Sequence, residues 1–117
     1  MPEAAVDTRV WIGRVRSDSM AEHEQFIAWL GTDEAREVYR RRRLVEYALY
    51  ERNGQLSVIF RAPHTGDPRI MIDFLRYPGM WPQFWEFERA GGAAEAELVE
   101  ADGSAARVSW RRPLEES

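Results

Sequence analysis

Glu46 and Arg61 are the residues of this sequence best placed for acid/base chemistry, because strand pairing would set them opposite each other. Asn53-Gly54 favours a two-residue type I′ turn, and β-forming runs, residues 44–52 and 55–62, flank it. Counting outward from the turn pairs Glu46 with Arg61. In a water-poor cavity Glu46 could transfer a proton, while Arg61 would hold it ionised or bind a substrate anion. On an open surface the same two side chains form a structural ion pair.

Three further side chains of this hairpin are candidates for ligand contact. Tyr50 and Ser57 pair on the same face as Glu46, where their hydroxyls could orient a small oxygenated ligand or contact each other or a partner chain. Tyr47 points to the opposite face, and its alternation with Leu49 favours the core.

His23 and two indoles complete the set of candidates. His23 lies on the apolar side of a predicted helix, a position typical of a hydrogen-bonded core histidine and also available to a ligand. Trp81 and Trp85 are four residues apart, which fits either a core stripe or a wall that stacks a sugar or planar ring. No histidine pair has the spacing of metal ligands, so no metal site and no cofactor are predicted.

The composition excludes several classes of protein. The 117 residues suffice for one domain, and a net charge of −4 argues against broad nucleic-acid binding. The chain has no Cys and no apolar run of about 20 residues, which favours a cytoplasmic protein without a membrane span. All 16 basic residues are Arg, a bias typical of a GC-rich bacterial genome.

The remaining elements follow from periodicity, caps and turn residues. Residues 9–16 alternate as a strand in which Gly13 marks either weakness or the close approach of another backbone. Ser19 and Glu22 form a capping box for a helix that ends at Gly31, and Thr32 caps a second helix. Further along come residues 69–76 (helix or strand), a helix over 81–89, and a hairpin of 93–101 with 104–112 about Asp102-Gly103. The domain spans 9–112, with flexible termini at 1–8 and 113–117.

This order predicts an α+β fold, a ferredoxin-like βαββαβ antiparallel sheet with one extra strand. Its helices would cover one face of the sheet and leave the other bare. The bare face would carry Tyr50 and Ile59, which form a poor solvent surface. A second protomer laid sheet against sheet would cover them.

At this point the chain resembles the dimeric α+β barrel superfamily, and within it small bacterial proteins of the L-rhamnose mutarotase type. Glu46-Tyr47-Ala48-Leu49-Tyr50-Glu51 is similar to the tyrosine-bearing strand of the mutarotases, and Trp81-Pro82-Gln83-Phe84 to their Trp-Pro helix. In that family the Trp-Pro helix precedes the tyrosine strand, whereas here it follows. The resemblance implies a homodimer through the sheet face and a sugar contact at Tyr47.

Two functions from different classes follow. The first is an isomerase, mutarotase or cyclase that performs cofactor-free acid/base chemistry on a small molecule, with Glu46, Arg61 and Tyr50 at its centre. The second is a non-catalytic module that binds a ligand or another protein through the same sheet face.

Overall fold

The structure is a computed structural model that describes residues 6–41, 43–63, 82–103 and 105–113. This part of the chain forms an α+β domain. Its elements in chain order are β1 (Val6–Val15), α1 (Met20–Leu30), α2 (Asp33–Arg41), β2 (Glu46–Arg52), β3 (Gln55–Pro63), β4 (Trp85–Gly91), α3 (Ala93–Ala101) and β5 (Val108–Arg111).

The five strands form one antiparallel sheet in the order β4-β1-β3-β2-β5. The central hairpin has the predicted register, in which Arg52 pairs with Gln55 and Glu46 pairs with Arg61. Asn53 and Gly54 both adopt positive φ, 52° and 79°, as a type I′ turn requires. The prediction for this hairpin is confirmed.

One face of the sheet carries the main core, beneath α1 and α2. Tyr47, Leu49, Val58 and Phe60 are fully or almost fully buried there, as their alternation predicted. Each helix contributes an apolar stripe to the same core, consisting of Ile27 and Leu30 of α1 and Ala35, Val38 and Tyr39 of α2.

The opposite face is not bare, and the prediction that all helices lie on one face is wrong. Helix α3 packs on it, mainly across β1, so that Ala96 joins a second small core with Val10, Ile12 and Ile59. The apolar face for which a second protomer was predicted is therefore covered within one chain. Helix α3 shields Ile59 from water, which is the role predicted for a second protomer.

The second half of the chain differs from its prediction. The predicted helix over 81–89 is wrong, because Trp85–Gly91 is strand β4 and pairs with β1. The predicted second hairpin is also wrong, since Ala93–Ala101 is helix α3. Its predicted second strand over 104–112 is confirmed in part by β5, which pairs with β2 at the edge of the sheet. The prediction for residues 69–76 lies outside the described residues.

Several boundaries can be compared with their sequence signals. Strand β1 begins at Val6, earlier than the predicted residue 9. Helix α1 begins where predicted, but its capping box is not formed, because the Ser19 hydroxyl donates to Asp18 Oδ1 at 3.1 Å and makes no cap bond. Thr32 does cap α2, since its hydroxyl oxygen accepts from the Ala35 N–H at 3.3 Å. Within the described residues no helix is long and apolar enough to cross a bilayer.

Candidate functional site

The predicted pair of Glu46 and Arg61 forms where β2 begins and β3 approaches its end. Arg61 Nη1 lies 3.1 Å from Glu46 Oε1, and both side chains are mostly shielded from solvent. Arg61 also donates to Glu100 of α3 at 2.8 Å, while Arg111 of β5 lies 3.4 Å from the second oxygen of Glu46. Each carboxylate oxygen of Glu46 therefore already has a guanidinium partner. This arrangement joins three strands and α3.

A cavity of about 250 Å³ lies further along the same face, between α3 and the sheet. We call it the α3 cavity. Its apolar lining consists of Ile12, Val99 and Leu98, and Tyr50, Ser57 and Gln55, whose side chains carry hydroxyl and amide groups, also line it. The structure thus brings together Tyr50 and Ser57, as predicted, but Glu46 and Arg61 do not line this cavity.

Two ion pairs complete the lining of the α3 cavity. Arg89 of β4 binds Glu95 of α3, and Arg52 of β2 binds Asp102 at the end of α3. Sequence reasoning missed Arg89, Glu95, Arg52 and Asp102 because it placed residues 93–102 in a hairpin. Their signal was the composition of residues 93–101, AAEAELVEA, because alanine, leucine and glutamate are all strong helix formers.

Tyr50 is a neutral hydrogen-bonding group in this setting. Partial burial raises its pKa, and the nearby carboxylates of Glu100 and Glu46 raise it further against the opposing charge of Arg61. The phenol therefore remains protonated at neutral pH, so it can both donate and accept a hydrogen bond. Ser57, its cross-strand partner, offers a second such hydroxyl.

Of the other residues predicted to contact a ligand, two lie in the main core and one lies outside the described residues. Tyr47 is fully buried beneath the helices, where its ring stacks on Tyr39 with centroids 4.9 Å apart. Trp85 is 3% exposed and contacts Phe26 on the same side of the sheet. Trp81 lies outside the described residues.

His23 is fully buried and forms a chain of hydrogen bonds on the α1 side. The indole N–H of Trp85 donates to its Nδ1 at 3.0 Å, and Nε2 lies 2.6 Å from Glu51 Oε1. An indole N–H can only donate a hydrogen bond, so Nδ1 of His23 must accept one. The ring proton is therefore on Nε2, which donates a hydrogen bond to Glu51. Arg107 continues this chain of hydrogen bonds by donating to Glu51 and to Glu24. The hydrogen bond from Arg107 to Glu24 lowers the pKa of Glu24. His23 is therefore a hydrogen-bonded core residue.

Replacing Trp85 by phenylalanine tests this chain of bonds. The variant keeps an aromatic ring against Phe26 but leaves Nδ1 of the buried His23 without its donor, so the free energy of unfolding should fall by about 1–3 kcal/mol. Urea denaturation followed by circular dichroism measures it. Trp29→Phe, which trims a half-buried indole beside the same Phe26, is the matched control. Equal losses in the two variants would contradict the role given to the indole N–H.

Comparisons with known proteins supply no further guide to the site, because no family model, curated protein or solved structure matches the chain. Among the described residues no group of three or more His, Asp or Glu side chains could hold a metal ion. The polar residues that line the α3 cavity are Tyr50, Ser57, Gln55 and the members of the two ion pairs.

Proposed function

We propose that this protein is a non-catalytic module that binds a small, uncharged, polar ligand in the α3 cavity. The observation that carries the proposal is the lining itself, which sets hydroxyl and amide groups against an apolar wall. Binding sites for small molecules combine a mostly apolar surface with a few convergent polar groups in this way. The volume of about 250 Å³ lies below the range for drug-sized ligands, so the ligand is compact.

The charges of the lining favour an uncharged ligand. Arg89 and Arg52 are both part of the wall, but each already faces a carboxylate from α3. A charged ligand would therefore have to break an ion pair that is already made. A monosaccharide or a cyclic polyol needs only the hydroxyls of Tyr50 and Ser57 and the amide of Gln55, together with an apolar surface for its C–H groups.

Binding fits the geometry better than the catalytic hypothesis does. In the catalytic hypothesis Glu46 is the residue that transfers a proton, and Arg61 and Tyr50 assist it. That hypothesis stays a prediction. Both oxygens of Glu46 already face guanidinium groups, and Glu46 does not line the α3 cavity. A general base needs an oxygen within reach of the substrate proton. The non-catalytic alternative requires no such freedom of Glu46.

We also propose that the domain is a variant of the ferredoxin-like arrangement. The order β4-β1-β3-β2 with antiparallel neighbours supports this, as does the placement of β5 beside β2 as an added edge strand. The homodimer and the likeness to mutarotases stay predictions. Since α3 occupies the face assigned to a second protomer, the proposed site is complete within one chain.

Saturation-transfer NMR with L-rhamnose, D-glucose and myo-inositol as probes tests the binding proposal. We expect at least one probe to bind, and amide correlation spectra of the protein recorded with that probe should show shift changes at Ile12 and Val99. Ser57→Ala and Tyr50→Phe each remove one hydroxyl and should weaken that binding by about fivefold to tenfold, which corresponds to about 1–1.4 kcal/mol.

Ser109→Ala is the matched control, because it deletes the same hydroxyl from an exposed position on β5 outside the cavity. It should leave the affinity unchanged. The proposal is wrong if none of the three probes binds, or if binding survives both cavity variants. Conversion of a bound sugar that disappears in Glu46→Gln would instead support the catalytic hypothesis.

A further inference from the structure

We propose that α3 is a lid, held over the α3 cavity by ion pairs together with a small apolar contact to the sheet, and that its opening admits the ligand. This inference rests on the proposed function, since it assigns the control of access to the same site. It begins from a contrast between the three helices. Helices α1 and α2 each bury three side chains in the core, whereas Ala96 is the single fully buried residue of α3.

The apolar attachment of α3 is small. Ala96 contributes one methyl group, Val99 is half-buried, and Leu98 is 70% exposed. Hydrophobic stabilisation grows with the apolar area removed from water, so the side chains of α3 itself contribute less of it than those of α1 or α2. The rest of this small core comes from Val10, Ile12 and Ile59 of the sheet. A segment with few buried apolar contacts is among those that open at low free energy.

Three arginines from three strands add ionic contacts to this apolar one. Arg89 of β4 binds Glu95, Arg61 of β3 binds Glu100, and Arg52 of β2 binds Asp102. The three carboxylates span α3 from its first turn to its C-cap, so the helix is fastened at both ends. Arg52 and Arg89 are more than half exposed, which leaves two of the pairs open to screening by salt.

The charges of α3 also make its helical state dependent on those arginines. Glu100 and Asp102 stand at the C-terminal end, where the helix dipole is negative and no basic side chain of α3 offsets it. Arg61 and Arg52 provide the missing positive charge from the sheet. When the ion pairs of Arg61 and Arg52 break, the C-terminal end of α3 loses the positive charges that offset its dipole. Detachment of the helix from the sheet therefore favours fraying of this end, and fraying favours detachment.

Two of the three ion pairs that hold α3 also line the α3 cavity. Arg89–Glu95 and Arg52–Asp102 both belong to the lining, and Leu98 and Val99 of α3 form part of its wall. Moving α3 away therefore removes one side of the cavity and widens its opening to solvent. The floor, made by Ile12, Tyr50 and Ser57 of the sheet, stays in place.

Amide hydrogen exchange of the full chain, measured by NMR without any ligand, tests the lid. We expect the α3 amides to exchange about tenfold faster at about 500 mM than at about 20 mM NaCl, while β3 amides change little. In the triple variant Arg52→Gln, Arg61→Gln, Arg89→Gln, exchange of α3 should be fast at both salt concentrations.

Arg14→Gln is the matched control, because Arg14 pairs with Glu88 on the neighbouring strand and not with α3. It should leave α3 protection as in the unaltered chain. Protection of α3 that equals that of β3 and ignores salt would overturn the lid, and the salt series on the unaltered protein decides this even if the triple variant does not fold. A mobile α3 with no sugar binding would overturn the binding proposal alone.

Discussion

Gly13→Ala is expected to destabilise the fold by about 3 kcal/mol or more, the upper end of what overpacking costs. Gly13 lies in β1 opposite Phe87 of β4, where the pairing register shifts. A Cβ at this position would overlap the carbonyl oxygen of Glu86 and lie 3.0 Å from its carbonyl carbon. These are backbone atoms held in the sheet, so relief requires β4 to move away from β1. Urea denaturation followed by tryptophan fluorescence measures the loss.

Gly31→Ala is the control for the conformational entropy of the unfolded chain, which any replacement of glycine by alanine lowers. Gly31 ends α1 with φ −89°, and the nearest atom to an added Cβ would be the Ala28 oxygen at 3.7 Å. An alanine fits there without strain, so stability should stay the same or rise by a few tenths of a kcal/mol. A Gly13→Ala variant as stable as Gly31→Ala would show that β4 does not pack against β1 in this way.

The fold is also expected to lose stability steeply above pH 10. Tyr39 and Tyr47 stack on each other in the main core, and burial raises the pKa of both phenols well above their usual value. The unfolded chain releases these protons first as the pH rises, so the stability present below pH 10 is lost above it. Two tyrosines give a slope of about 2.7 kcal/mol per pH unit.

Urea denaturation at a series of pH values, with tyrosinate absorbance to follow ionisation, measures this slope. Tyr47→Phe removes one of the two protons and should reduce the slope by about 1.4 kcal/mol per pH unit. Tyr50→Phe is the comparison, since Tyr50 reaches solvent at the cavity and ionises at less cost, so it should change the slope less. Stability that is flat up to pH 11 would contradict the burial of the tyrosine pair.

Local signals were sufficient for the first half of the fold. Asn53-Gly54 specifies its turn by steric preference, and the alternation that follows fixes which residues face the core. The pairing of Glu46 with Arg61 follows from counting alone. Gly13 likewise marks a close backbone approach that the structure confirms.

Residues 85–101 were mispredicted because competing local signals occur at two places. Trp81 and Trp85 have helical spacing, yet Trp85 and Phe87 also alternate with Glu86 and Glu88, and β4 follows that alternation because β1 offers an open edge. Asp102-Gly103 has the composition of a hairpin turn, but the alanine and glutamate content of residues 93–101 favours helix. A turn signal specifies a hairpin only if both flanking segments prefer strand.

The sequence by itself determined the central hairpin, the helix-side core and the ion pair of Glu46 with Arg61, because each depends on spacing along a few residues. The tertiary structure alone decided where α3 lies, and with it the α3 cavity and the partners of Arg52, Arg61 and Arg89. These features join residues far apart in the chain, and no local pattern specifies such contacts. The sheet face that the sequence left open is closed by the chain's own helix, since burying Ile59 and neutralising three arginines are satisfied there together.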